Sequence, residues 1–276
     1  MRRLVAQRCV WKRHLIDLHC HLLPGIDDGA TTVETSIAMA RLAVADGIDC
    51  IVCTPHIMPG VYDNDGAAIA AGVASLARRL NAEGISLQLM AGADVHIAPA
   101  MLQGLRDGKI PSLNASRFLL FEPPHHVVPP QMEDLVFSLM VAGYVPILTH
   151  PERLSWIESH YSTILRLANM GVLLQLTASS LTGGFGRRPR YWAERILDEG
   201  WASVVASDAH NVKSRPPVLS EARELVARRL GAAEALSMVL ERPKAILADR
   251  QPSTPLAGQM VLTPPRRSIW SRLGLS

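Results

Sequence analysis

His19 and His21 stand two residues apart in the stretch Asp17-Leu18-His19-Cys20-His21. In an extended chain, residues two apart face the same side. Two neutral imidazoles so placed can chelate one divalent ion, with Cys20 turned the other way. The same chemistry recurs along the chain: His56 follows Cys53-Thr54-Pro55, Asp94 follows Ala91-Gly92-Ala93, and Glu122 follows Phe121. His150 follows Thr149, and Asp208 and His210 follow Ser207. With Asp28, these residues offer five imidazoles and four carboxylates, more than one ion needs. A mixed N/O donor set without thiolate favours Mn²⁺, Fe²⁺ or Zn²⁺ over a structural zinc. Two or three such ions a few ångströms apart would polarise a phosphoryl oxygen and generate hydroxide near neutral pH.

Residues so dispersed need a scaffold that gathers them. Short apolar runs occur at 15–18, 50–53, 87–90, 118–121, 145–149, 172–176 and 202–206, and nearly every one ends in a potential ligand. Between them lie helix-like segments. Residues 32–45 open at Thr31/Thr32 and stop before Gly47, and 67–83 close at Gly84. Residues 130–142, 155–170 and 189–199 each end before a glycine, and 220–230 and 232–240 follow the last run. Strands alternating with helices predict a parallel sheet, and runs with little polar alternation suit strands buried on both faces. A parallel α/β barrel opens all its strand C-termini on one face, so convergence there needs no fine tuning of spacing. No glycine-rich phosphate loop follows the first run, which argues against an open nucleotide-binding sheet.

Composition narrows the function classes. Of 276 residues, 48% are hydrophobic and 19% charged, a foldable balance. The formal charge of +3 is misleading. Residues 1–13 carry Arg2, Arg3, Arg8, Lys12 and Arg13 and no acid; residues 251–276 carry Arg266, Arg267 and Arg272 and no acid. The body between is acidic, which suits bound cations better than a nucleic-acid backbone. We therefore expect a basic extension at 1–13, one domain over 14–250, and a loose Pro- and Arg-containing tail at 251–276. No apolar stretch reaches the roughly 20 residues that span a bilayer, and no secretory leader is read at the basic N-terminus. The four cysteines all lie in the first half, so a disulfide framework is not expected and a cytoplasmic location is. Thiol-based phosphoryl transfer needs an Arg six residues after the nucleophile. The residues six after Cys9, Cys20, Cys50 and Cys53 are Leu15, Ile26, His56 and Pro59, so that route is excluded. Cys50 and Cys53 read as small core residues within an apolar strand. His14, His96, His125, His126 and His160 are given no role beyond the surface or the layer behind the ligands; His125 and His126 line the mouth at most.

The order of these motifs resembles the polymerase and histidinol phosphatase (PHP) superfamily, and within it the CpsB/YwqE-type bacterial protein-tyrosine phosphatases. The carrying segments are residues 16–29 (IDLHCHLLPGIDDG), 53–56 (CTPH), 121–122 (FE), 149–153 (THPER) and 206–211 (ASDAHN) with Arg215-Pro216-Pro217. The resemblance spans about residues 15–250. It implies a distorted (β/α)7 barrel of PHP type, with a metal cluster at the strand C-termini. It implies metal ligands at His19, His21, Asp28, His56, Asp94, Glu122, His150, Asp208 and His210, and phosphate-handling arginines at Arg153 and Arg215. Asp208 then serves both as ligand and in catalysis. The family's usual residue at the position of Asp94 is a bridging Glu, so a shorter side chain stands here. The resemblance further implies Mn²⁺-assisted hydrolysis of phosphotyrosine on protein, often on a bacterial tyrosine autokinase controlling capsule or exopolysaccharide export. Rival readings are a small-molecule phosphatase of the histidinol-phosphate type and a metal-binding module without catalysis. A nuclease is disfavoured by the acidic body, and the oligomeric state is left open.

Overall fold

The computed structural model describes residues 15–253 and residue 257. The expected basic extension at 1–13 lies outside the described residues, as does all of the expected tail beyond 251–253 except residue 257.

The strands are β1 (Leu15–Cys20), β2 (Ile48–Cys53), β3 (His56–Ile57), β4 (Gln88–Ala91), β5 (Asp94–His96), β6 (Phe118–Glu122), β7 (Val145–Thr149), β8 (Leu173–Thr177) and β9 (Ala202–Ala206). The seven runs expected to be strands all form. The second and third are each followed, after a break, by a further short strand, a feature the apolar pattern did not announce. Thr54-Pro55 separates β2 from β3, and Gly92-Ala93 separates β4 from β5. The breaks lie side by side, because Cys53 pairs with Ala91 before them and His56 with Asp94 after them. Proline cannot donate to a strand ladder. At Gly92 an added Cβ would come within 2.8 Å of both the Val52 and Leu113 side chains.

One sheet has the order β1-β2-β4 and the other β3-β5-β6-β7-β8-β9, with each of these pairs parallel. The chain after β9 closes the ring: Cys20 bridges to Ala209, the Asp208 amide donates to the His19 carbonyl at 2.8 Å, and the His21 amide donates to the Ala209 carbonyl at 2.9 Å. The result is the expected parallel α/β barrel, distorted where the two sheets part.

Ten α-helices are described: α1 (Val33–Ala45), α2 (Gly66–Ala82), α3 (Met101–Arg106), α4 (Met132–Val141), α5 (Ile157–Met170), α6 (Ala178–Thr182), α7 (Arg187–Asp198), α8 (Ser220–Leu230), α9 (Ala232–Leu236) and α10 (Arg242–Leu247). Capping starts the first two. Thr32 Oγ1 accepts from the Thr35 amide at 3.2 Å, and Asp65 Oδ1 accepts from the Ala68 amide at 2.8 Å.

Strand parity sorts the core. Ile16, Leu18, Cys50, Val52, Met90, Phe118, Leu120, Ile147, Leu173 and Val204 pack with one another inside the barrel. Leu240, Ile246 and Leu247 join them beside Leu113, at the end away from the strand C-termini. The alternate residues, such as Ile51, Leu89, Leu119, Phe121, Leu148 and Leu174, face the helices.

Candidate metal centre

On three staves, continuing the inward parity leads from hydrocarbon to ligand. Cys50 and Val52 lead to His56, Met90 leads to Asp94 and His96, and Phe118 and Leu120 lead to Glu122. In β1 the register slips between Asp17 and Cys20. That slip sends Cys20 into the helix-facing core and brings His19 and His21 together, their Nε2 atoms 3.1 Å apart. His150 and Asp208 follow β7 and β9 in the left-handed region, at φ 32° and 51°. Such backbone is costly for a non-glycine residue and concentrates at functional sites.

The expected residues converge. Four groups of donors each bring their ligand atoms within 4.8 Å of one another: His21 with Asp28, His56 and His210; His19 with His21 and Asp94; His56 with His96 and Glu122; and Glu122 with His125 and His150. Shared members chain the groups into one cluster. Asp94 lies at its centre, its Oδ2 3.5 Å from both His19 Nε2 and His56 Nδ1. The shorter side chain at this position therefore still reaches two groups. Asp28, the most exposed member, places Oδ1 3.2 Å from His210 Nε2 and 3.5 Å from His56 Nε2.

Asp208 is placed differently. Its Oδ1 lies 3.4 Å and 3.5 Å from the Nε2 atoms of His19 and His21. Its Oδ2 accepts from Arg215 Nη2 at 2.7 Å and from Arg153 Nη1. One carboxylate thus joins the imidazole cluster to both expected arginines.

A layer behind the donors orients them. His21 Nδ1 meets Asp27 Oδ2 at 2.7 Å, and His19 Nδ1 meets Gln175 Oε1 at 2.8 Å, so each ring presents Nε2 to the centre. Asp17 accepts from the Ser207 amide and hydroxyl and pins β1 to the segment after β9. Glu152 accepts from the Thr177 amide at 2.9 Å and ties the chain after β7 to β8.

Electrostatics single out the same cluster. Burial pushes His19 down to about 4 and His56 to about 3, and it lowers His150 and His210 as well. Burial also opposes charge on His21, but Asp208 and Asp27 override it and raise that ring to about 10. Desolvation, with Glu122 nearby, drives Asp94 well above the carboxylate range. Glu122 is itself desolvated, but His125 and His96 hold it low. Both carboxylate oxygens of Asp94 and Nδ1 of His56 are buried without a hydrogen-bond partner. Unpaired buried polar atoms are costly. Here they sit among donors of the N/O type that divalent cations take, so these residues fit bound metal ions.

Three residues of this centre lay outside the sequence-based ligand set. His96 Nε2 is 2.5 Å from Glu122 Oε2 and His125 Nε2 is 2.8 Å from Glu122 Oε1, so neither is a bystander. The signal for His96 was present, since it stands two residues beyond Asp94 on one strand, as His21 stands beyond His19. Asp27 stands beside the expected ligand Asp28 in the segment 16–29, where residue type alone does not tell the two apart. His126 is exposed, His160 pairs its Nδ1 with Ser159 Oγ at 2.9 Å, and His14 lies outside the described residues. Cys20 and Cys53 are buried thiols that desolvation holds far from ionisation, in keeping with the excluded thiol route.

A parallel barrel with a multi-donor imidazole and carboxylate mouth is the architecture of a metal-dependent hydrolase. The chain belongs to the CpsB/CapC family of capsular polysaccharide synthesis, whose model matches residues 15–248. It is 37% identical over 246 residues to the tyrosine-protein phosphatase YwqE of Bacillus subtilis, covering 88% of this chain and 96% of that protein. It is 27% identical over 241 residues to the tyrosine-protein phosphatase CpsB of Streptococcus pneumoniae, covering 86% and 99%. Among solved structures, one from work on YwqE and CpsB, described there as metal-dependent tyrosine phosphatases, superposes with a TM-score of 0.82 at 37% identity, over 87% of this chain and 99% of that one. A phosphotriesterase homology protein from Escherichia coli shares the fold at a TM-score of 0.56 and 10% identity, over 85% of this chain and 99% of that one.

Proposed function

We propose that this chain is a metal-dependent phosphomonoesterase that removes phosphate from phosphotyrosine in protein. The observation that carries the reading is the single carboxylate, Asp208, that links a multi-donor cation site to two arginines. Bound divalent ions would supply Lewis-acid activation of a phosphoryl oxygen and of water near neutral pH. Mn²⁺ in two or three sites is our assignment, with Fe²⁺ and Zn²⁺ the alternatives that the same donors accept. The residues that would hold it are His19, His21, Asp28, His56, Asp94, Glu122, His150, Asp208 and His210, with His96 and His125 completing the groups around Glu122. We take residues 14–250 as the unit that carries this chemistry.

The protein's own contribution is binding and charge. Arg153 and Arg215 now share the anionic Oδ2 of Asp208. A phosphoryl group offers those planar forks more oxygens of the same kind, in a geometry that accepts paired hydrogen bonds. Charge that develops on phosphorus-bound oxygens is met by donors already in place. The departing tyrosine oxygen has an ordinary pKa of about 10, so an aryl ester leaves without a strong general acid.

Relatives named as tyrosine-protein phosphatases, and a family defined by capsule synthesis, support phosphotyrosyl protein as the substrate. We assign a bacterial tyrosine autokinase as that protein. A cavity of about 440 Å³ bordered by Ile57, Pro59, Tyr62, His96 and Met101 adjoins the centre and offers room for side chains near a phosphotyrosine. A cytoplasmic location belongs to the same reading, supported by Cys20, Cys50 and Cys53 being buried thiols rather than disulfides. No described helix is long and apolar enough to cross a membrane.

Metal-analysed protein assayed against a phosphotyrosyl peptide, a phosphoseryl peptide and histidinol phosphate tests the proposal. Preference for the phosphotyrosyl peptide is the expected result. Preference for histidinol phosphate would replace this reading with a small-molecule phosphatase. Absence of hydrolysis, with metal still raising Tm, would make the chain a binding module.

A further inference from the structure

The turn Gly183-Gly184-Phe185-Gly186 joins α6 to α7, and α6 follows β8 directly, so the turn lies at the barrel mouth. Gly183 and Gly186 take φ of 90° and 88°, backbone that a side chain disfavours. Between them the half-buried Phe185 ring meets both arginines of the site. Arg153 Cζ is 4.5 Å and Arg215 Cζ is 5.7 Å from the ring centroid. Both lie inside the roughly 6 Å over which a guanidinium is attracted to an aromatic face. Three loops, after β7, β8 and β9, thus meet at one point: two cations, one ring and the Asp208 carboxylate.

We infer that Phe185 is a positioning residue for phosphate recognition, holding Arg153 and Arg215 in the arrangement that grips the phosphoryl group. The inference rests on the reading of those arginines given above. Long arginine side chains lose considerable rotamer freedom when ordered. A carboxylate orders them by occupying their N–H groups, which are the groups phosphate needs. A ring attracts the guanidinium cation without offering an oxygen acceptor, so it orders them without taking the place of a phosphoryl oxygen. Phe185 is therefore the contact that can persist while phosphoryl oxygens take the donors that Asp208 Oδ2 now holds. No proton or bond changes hands at Phe185.

The test uses the metal-loaded full chain and three variants: Phe185→Ala, Phe185→Leu and Phe185→Tyr. Inorganic phosphate as a competitive inhibitor reads the arginine pair, alongside KM and kcat for a phosphotyrosyl peptide, bound metal and Tm. Phe185→Ala and Phe185→Leu should weaken phosphate inhibition and raise KM about tenfold, the scale of two partly exposed ring–cation contacts. They should change kcat less and leave bound metal as it was, while Phe185→Tyr stays within about twofold of the parent on the same basis. A Leu variant equal to the parent would overturn the inference, because volume and not the ring would be what matters. A Tyr variant as weak as Ala would do the same. Arg153→Ala with unchanged phosphate inhibition would instead overturn the arginine reading beneath it.

Discussion

His19 and His21 bring their Nε2 atoms to 3.1 Å of each other, while their Nδ1 atoms are held by Gln175 and Asp27 respectively. Two ring nitrogens forced together at the centre of nine expected ligands have a physical reason if a cation draws both lone pairs. His19→Ala should lower activity by at least about a thousandfold, the order reached when an essential catalytic group is removed. Bound metal, measured by elemental analysis, should fall in parallel. Full metal content with lost activity would show that His19 is not a ligand.

Asp27 fixes the ring of His21 from behind. Asp27→Asn should keep the fold and weaken metal affinity roughly 10–100-fold, the usual cost of losing a partner behind a ligating histidine. Titration with a competing chelator measures it. Unchanged affinity would mean that Asp27 serves only the loop, where it also accepts from the Gly29 and His56 amides.

On the proposed reading, Arg215 and Arg153 serve the phosphoryl group rather than the metal. Arg215→Ala should cut kcat/KM by about 10²–10³, as for other preorganised donors to developing charge, with metal content unchanged. Equal loss of metal would show that its contact with Asp208 is what positions that carboxylate as a ligand.

Cys20 packs in the helix-facing core with its Sγ 3.9 Å from the Ala209 carbonyl. Cys20→Ser should retain most of the activity. An inactive variant that still holds metal would point to chemistry at sulfur.

In the metal-free protein the His19 and His21 contributions together are most favourable near pH 6.5, while buried Asp17 and Glu152, raised to about 6 and about 7, oppose the acid limb. His19 is pushed down to about 4, so between pH 6.5 and 4 its unfolded form binds more protons and its contribution falls as pH falls. His21 is raised to about 10, so its contribution is complete below 6.5 and is lost as pH rises towards 10. Urea midpoints in EDTA at pH 6.5 and 9 check the alkaline slope. Bound metal displaces the His21 proton, so the alkaline loss should shrink in the loaded protein. A midpoint that rises from pH 6.5 to 9 in EDTA would contradict the His21 assignment.

The barrel was legible because six of the seven apolar runs, all but 172–176, end at the level where a ligand begins, and parity carries that order into space where it holds, as from Leu120 to Glu122. What stayed hidden depends on geometry that parity cannot supply. The paired breaks at Thr54-Pro55 and Gly92-Ala93 arise from neighbouring staves bending together, a relation between distant residues. His125 reaches Glu122 from the chain beyond its strand, and Asp27 reaches His21 across a turn, so neither follows a strand period. The left-handed backbone at His150 and Asp208 aims each side chain in a way that residue type does not announce. Phe185 stands among glycines in the sequence, and its contacts with Arg153 and Arg215 come from the meeting of three loops far apart along the chain.

Anomalous diffraction from crystals of the Mn²⁺-loaded protein, recorded on both sides of the manganese edge, tests the central claim most directly. The account predicts two or three peaks within the cluster formed by His21, Asp28, His56 and His210 together with His19, Asp94 and Glu122, and no activity after chelation until metal is restored. Active protein with no peak there, or with peaks only elsewhere, would contradict it.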